Sequence, residues 1–157
     1  MTLQIIKFDP SKGTDHKMVK IDDLLYQGSR LPGFDIDILR QYGITQVLSI
    51  TTALPPEIRG LCRWWLSIED GQPWTMEQIT FVRWFCSFCL CFACTALIHC
   101  DHGNSRSAGG AIIWKMVKHG DCKADAYVNL LKVNPYVNCR QEILDSLPDK
   151  FGINCDR

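Results

Sequence analysis

A cysteine and an arginine stand with five residues between them in the stretch His99-Cys100-Asp101-His102-Gly103-Asn104-Ser105-Arg106-Ser107. The apolar run Ala96-Leu97-Ile98 precedes it, and Ala108-Gly109-Gly110-Ala111-Ile112-Ile113-Trp114 follows with helical character. A strand, a tight loop and a helix N-terminus in that order gather backbone N–H groups around one anion. Such surroundings favour the thiolate form of a cysteine at the loop mouth. Arg106 supplies a planar fork that takes two phosphate oxygens at once. A loop of this length can bend its amides around a tetrahedral dianion and leave the sulfur below the phosphorus. Gly103 stands mid-loop, where a bend requires φ > 0 and a side chain would obstruct the backbone. Ser107 is placed to cap the following helix and to hydrogen-bond the thiolate. The residues propose a thiolate nucleophile, Cys100, facing a phosphate held by Asp101, His102, Gly103, Asn104, Ser105 and Arg106.

His99-Cys100, Gly103 and Arg106-Ser107 resemble the His-Cys-x-x-Gly-x-x-Arg-Ser/Thr signature of the cysteine-dependent protein phosphatases. Leu25-Tyr26-Gln27-Gly28-Ser29 is similar to the early strand and turn of their compact dual-specificity branch. Tyr42-Gly43-Ile44-Thr45-Gln46-Val47-Leu48-Ser49-Ile50 resembles that branch's Gly-Ile-Thr-x-Val-Leu strand. The resemblance runs from about Leu24 to Leu147 and implies a protein tyrosine phosphatase-like α/β fold. At 157 residues the chain leaves little room for the extra loops of the larger classical tyrosine phosphatases, so a shallower pocket is implied. The low-molecular-weight branch places its nucleophile near the N-terminus, unlike Cys100 here.

The family also implies a general acid on a loop before the long helix. Expelling a serine or threonine alkoxide requires a proton donor, whereas tyrosine phenolate leaves more readily. Leu66-Ser67-Ile68-Glu69-Asp70-Gly71-Gln72-Pro73 occupies that position, and Asp70 matches best, 30 residues before Cys100. Glu69 is the neighbouring alternative. Gly71 and Pro73 mark an exposed loop. Trp74 either rests against a substrate ring or staples the helix start to the core. By the same resemblance His99 is buried and orders the loop without transferring protons, and Asn138 is a support or helix-cap residue. Asp101 is expected at the rim, where it would favour substrates with nearby basic residues. His102 before Gly103 resembles the His-Cys-Thr-His-Gly loop of the RNA 5′-triphosphatases of the same superfamily. The loop lacks the lysines associated with phosphoinositide phosphatases.

The elements that must position these residues alternate as in an α/β domain. Strands are expected over residues 3–8, 24–26, 44–50, 63–68 and 96–99, with a turn at 9–13. Helices are expected over 35–42, stopped by Gly43, and over 75 to about 94, capped by Thr75 with Glu77 and Gln78 in its first turn. Further helices are expected over 107–118, stopped by Gly120, and around 122–133 and 137–147. The fold class is thus a central, mostly parallel sheet of about four to five strands flanked by helices. One domain over residues 1–157 is expected, long enough to bury a core. The segments at 30–34, 70–74 and 133–137 would set the depth of the pocket.

Basic and acidic residues number 17 each, which gives no sign of a nucleic-acid or membrane surface. The apolar run at 85–98 is too short for a membrane span of ~20 residues and leads directly into the loop strand. Cys86-x-x-Cys89-x-Cys91-x-x-Cys94 superficially suggests a metal site. At ~100° per residue its thiols spread over more than half a helix circumference and cannot converge on one ion. Nine cysteines and no export or myristoylation signal point to a reducing compartment, with the cytoplasm as default. The expected activity is hydrolysis of protein phosphomonoesters, on phosphotyrosine and also phosphoserine or phosphothreonine, through a phosphocysteine. It needs no metal or cofactor and is expected of a monomer. The alternatives are an RNA 5′-triphosphatase or diphosphatase, and a non-catalytic phosphopeptide-binding module.

Overall fold

The structure, a computed structural model, describes residues 5–7, 17–30 and 35–152. Its sheet has six strands: β1 (Ile5–Lys7), β2 (Lys17–Lys20), β3 (Leu25–Gly28), β4 (Gln46–Ile50), β5 (Cys62–Leu66) and β6 (Ala96–His99). The spatial order is β1-β2-β3-β6-β4-β5. The strands β3, β6, β4 and β5 run parallel, and β1 and β2 add antiparallel to the β3 edge. The sheet therefore has a parallel centre and one strand beyond the expected number. The addition is β2, whose Met18 and Val19 are buried together between lysines and show no alternation. The remainder of the 3–8 strand and the turn at 9–13 lie outside the described residues.

Among the described residues five helices flank the sheet: α1 (Ile36–Gln41), α2 (Met76–Cys91), α3 (Arg106–His119), α4 (Lys123–Val133) and α5 (Gln141–Ser146). Asp35 caps α1 by accepting from the Asp37 and Ile38 amides. Thr75 and Gln78 form the expected capping box on α2. Gly120 closes α3 at φ 68°. Side-chain alternation along the strands makes two cores. Tyr26, Val47 and Leu97 meet Leu39 of α1 on one face. Leu25, Leu48, Ile50, Ala96 and Ile98 meet the other helices on the opposite face.

Strand β6 lies between β3 and β4 and is buried throughout, which explains its uninterrupted apolar run. Helix α3 lies directly on it because of Gly110, while Gly109 admits Trp74 and Ile143 beside the helix. A Cβ on Gly110 would sit 2.8 Å from Ile98 Cγ2, and one on Gly109 would sit 2.9 Å from Trp74 Cη2. The strand and helix that carry the 100–106 loop are therefore fixed against each other by backbone-close contact.

Helix α5 begins at Gln141, four residues later than the sequence suggests. The Asn138 amide donates to Asn104 O, and the Arg140 amide donates to Ser105 Oγ. Backbone donors spent on the loop keep residues 137–140 extended. Helix α2 is shorter than expected, ending at Cys91, with Cys86 and Cys89 in the core and Cys91 exposed.

Candidate active site

Cys100 follows β6 directly and is buried, 2% exposed, where it lines a cleft of about 550 Å³. Asp70, His102, Asn104, Ser105 and Arg106 line that cleft, and residues 138–142 form its other wall. Among the described residues of the segments expected to frame it, only 70–74 contributes, through Asp70. Residues 133–137 are absent from the wall, and 31–34 lie outside the described residues.

Gly103 turns the loop at φ 78° and donates its N–H to Cys100 Sγ at 3.3 Å. A Cβ there would stand 3.0 Å from Gly28 C and Ser29 N, so glycine is needed for conformation and for space. The outside of the loop is tied on two sides. Strand β3 contributes Gly28 O, accepting from Cys100 N, and Arg30 N, donating to Asp101 O. The segment before α5 contributes the Asn138 and Arg140 amides. Asn138 is itself exposed and supports the loop through its backbone alone; the cap position of α5 belongs to Arg140.

Arg106, only 4% exposed, opens α3. Its Nη1 donates to Ile68 O at 2.9 Å and its Nη2 to Asp101 Oδ2 at 2.8 Å. Its Nε has no hydrogen-bond partner and lies 4.0 Å from Asp70 Oδ1. A buried, unsatisfied guanidinium donor beside a cleft is the mark of an anion site. The expectation that Asp101 points to the rim is corrected: its carboxylate turns back onto Arg106. One arm of the arginine is thereby neutralised by the loop itself.

Ser107 is the second residue of α3, not its cap; Ser105 holds the cap position and makes no side-chain cap bond. The Ser107 hydroxyl instead faces the sulfur, with Cys100 Sγ 3.4 Å from its Oγ. Gln27 Nε2 donates to Ser107 Oγ at 3.0 Å and to Gly103 O at 3.3 Å. Asn134 Nδ2 in turn donates to Gln27 Oε1 at 3.2 Å.

His99 is fully buried, with Nε2 2.6 Å from Ser49 Oγ and Nδ1 3.4 Å from Cys100 O. Arg63 donates to Ser49 Oγ at 2.7 Å, which leaves the hydroxyl proton for His99 Nε2 and the ring proton on Nδ1. Burial, with the charge of Arg63 second, pushes the imidazole down to about 3. It is a neutral structural group, in line with the role its resemblance implies. Cys139 also lines the cleft, but burial pushes its thiol up to about 12, with the Cys100 and Asp70 charges adding to this. It stays protonated beside Cys100.

Asp70 is placed where the sequence suggests, on an exposed loop turned by Gly71 at φ 81°. Arg140 Nε donates to its Oδ2 at 3.3 Å, and the Arg140 stem lies over Gly71. Glu69 is exposed and takes no part in the cleft. Trp74 is 4% exposed and belongs to the core, which settles its alternatives in favour of the staple. Among the described residues, no group of three or more His, Cys, Asp or Glu is arranged to hold a metal.

Gln27, Ser49, Arg63, Asn134 and Arg140 were not singled out from sequence as site residues. A polar residue interrupting an apolar strand was the available signal for Gln27 and Ser49. Asn134 and Arg140 carry no local signal.

No protein-family model matches the chain. Over 96 residues it is 33% identical to human dual specificity protein phosphatase 2, a match covering 57% of this chain and 29% of that protein. The similarity thus spans less than a third of that relative. Among solved structures, DUSP15 superposes with a TM-score of 0.75 at 21% identity, over 82% of this chain and 83% of that one. The human tyrosine phosphatase-like serine/threonine/tyrosine-interacting protein gives 0.74 at 20% identity, over 82% and 91%. These structural likenesses establish the fold. With the sequence match, they make the chain similar to the dual-specificity protein phosphatases.

Proposed function

We propose that the protein hydrolyses phosphomonoesters of proteins, on phosphotyrosine and on phosphoserine or phosphothreonine, through a phosphocysteine. The observation that carries this reading is the Cys100 sulfur in a cleft beside a buried Arg106 whose Nε has no hydrogen-bond partner. In the first step the Cys100 thiolate attacks phosphorus, and the P–O bond to the leaving group breaks. Arg106 and the loop amides hold the remaining oxygens. Asp70 lines the same cleft and gives its proton to the leaving oxygen. In the second step water attacks the phosphocysteine, Asp70 takes the water proton, and sulfur leaves as thiolate beside Ser107.

Asp70 and Glu142 share the wall with Arg106 and Arg140, and Asp101 pairs with Arg106, so the cleft carries no excess of positive charge. That supports a monoester dianion over a more highly charged RNA triphosphate, despite His102 at the mouth. The joint presence of Cys100, Arg106 and Asp70 in one cleft supports catalysis over mere phosphopeptide docking. The eight cysteines among the described residues are all free thiols, which supports a reducing compartment, the cytoplasm by default. Among the same residues no helix is long and apolar enough to cross a membrane.

The test is turnover of an aryl phosphate, phosphopeptides and triphosphorylated RNA by wild type and Cys100→Ser. Wild type should cleave the aryl phosphate and the phosphopeptides, with orthovanadate inhibiting. Cys100→Ser should lose turnover and still bind phosphate. Substantial residual turnover in Cys100→Ser overturns the nucleophile assignment, and preference for RNA overturns the substrate class.

A further inference from the structure

We propose that Gln27 and Asn134 form a buried relay that directs the Ser107 hydroxyl proton onto the Cys100 sulfur, and thereby governs release of sulfur in the second step. In its activity arm this rests on the phosphatase reading above.

Gln27 is 1% exposed and Asn134 3%, so neither can exchange its partners for water. Gln27 follows Tyr26 on β3 and points to the opposite face of the sheet, toward α3. An amide in the middle of such a strand requires a partner for each of its polar atoms.

The polarity of the chain of hydrogen bonds is fixed from both ends. At one end the Tyr136 backbone N–H donates to Asn134 Oδ1 at 3.2 Å, which orients the Asn134 amide. Its Nδ2 must then donate to Gln27 Oε1, which orients the Gln27 amide. At the other end Gly103 O, which can only accept, receives Gln27 Nε2. The second Nε2 hydrogen goes to Ser107 Oγ. With Oγ accepting, the Ser107 proton needs an acceptor of its own. A serine in a helix ordinarily turns its hydroxyl to the carbonyl four residues back. Here that carbonyl is Gly103 O, which already accepts from Gln27. With Cys100 as a thiol, its Sγ donates to Ser107 Oγ at 3.4 Å; once Cys100 is ionised the sulfur can only accept, and this charged acceptor draws the Ser107 proton.

The relay acts where sulfur becomes negative. As water forms its bond to phosphorus, the P–S bond breaks and both electrons stay on sulfur. The water proton goes to Asp70, and the Ser107 hydroxyl donates to the departing thiolate. In the first step the same bond is present in the ground state and weakens as sulfur gives up charge. Loss of the relay should therefore slow the second step far more than the first.

The test compares Gln27→Met, which keeps the length of the side chain and removes its donor, with Ser107→Ala and the double variant. In rapid mixing with an aryl phosphate, Gln27→Met should retain a burst of product near one per enzyme, followed by steady turnover about tenfold slower. The double variant should be no slower than Ser107→Ala. Asn134→Asp, which forces the Gln27 amide to turn its oxygen toward Ser107, should reproduce the defect. It serves as the second variant should Gln27→Met not fold. Unchanged steady turnover overturns the relay. So does equal slowing of burst and turnover with weakened orthovanadate binding, which would make Gln27 only a prop for Gly103. Independently of turnover, Cys100 alkylation by iodoacetamide at fixed pH, read by mass spectrometry, should slow in Gln27→Met and Ser107→Ala alike. A wild type without turnover overturns the phosphatase reading. Unchanged alkylation overturns the relay.

Discussion

The 100–106 loop is tied through β3, residues 138–140 and the Gln27–Asn134 pair, and its key side chains are out of water. Across the cleft, the Glu69-Asp70-Gly71-Gln72-Pro73 segment is exposed, and its acid is tied by ion pairs at 3.3 and 4.0 Å. Buried hydrogen bonds are strong together and costly to leave unmade. Exposed ion pairs are weak and screened by salt. On the proposed reading, the side that would handle sulfur and phosphate is thus built rigid, and the side that would handle the leaving group is left adjustable.

The largest expected effect comes from the adjustable side, with a condition attached. Asp70→Asn should lower turnover of alkyl phosphates by about 10² or more, and spare aryl phosphates whose leaving group needs no proton. Parallel rates on both substrate types would settle it. Equal losses would mean that Asp70 shapes the loop side as well, and the contrast would collapse.

The glycines of the two sides give the next test. Both have positive φ, which costs a side chain about 1–2 kcal/mol. At Gly103 an added Cβ also meets backbone at 3.0 Å, whereas at Gly71 it meets the flexible Arg140 stem at 3.5 Å. Gly103→Ala should therefore lower aryl phosphate turnover by about tenfold or more, and Gly71→Ala should only reduce stability in urea unfolding by about 1 kcal/mol. Comparable losses of turnover in the two variants would refute the distinction.

His99 makes the loop side sensitive to acid. Its folded pKa of about 3 lies below the ordinary 6.5, so between those values the unfolded chain binds a proton that the folded one refuses. Stability is retained above pH 6.5 and falls as pH drops through this window, by about 2 kcal/mol at pH 5. His99→Asn should lose less stability than wild type between pH 6.5 and pH 5, measured by urea unfolding at each pH. Identical slopes would show that the imidazole is not buried neutral.

The smallest effect is expected at Arg140. Arg140→Ala should slow alkyl phosphate turnover only about two- to fivefold, with aryl turnover intact, and added salt should produce a similar loss in wild type. A defect as large as that of Asp70→Asn would show that Arg140 holds the acid loop as firmly as hydrogen bonds hold the other.

Cys100, Gly103 and Arg106 were legible as a cradle because their chemistry is contained in one loop. Asp70 was legible because its loop precedes a helix with a capping box written into Thr75 and Gln78. The strand β2 was not legible, since Met18 and Val19 adjoin and its pairing depends on the free edge of β3. The start of α5 was misplaced because nothing local reveals that the amides of Asn138 and Arg140 bind Asn104 and Ser105.

By itself, the sequence determined that Cys100, Gly103 and Arg106 share one loop between a strand and a helix, and how strands and helices alternate, because spacing along the chain carries that information. Only the tertiary structure decided where Asp101 points, that Ser107 faces sulfur, and that Asn134 reaches Gln27 across 107 positions. Hydrogen-bond direction depends on which groups burial leaves without water, and that is settled when distant segments close around them.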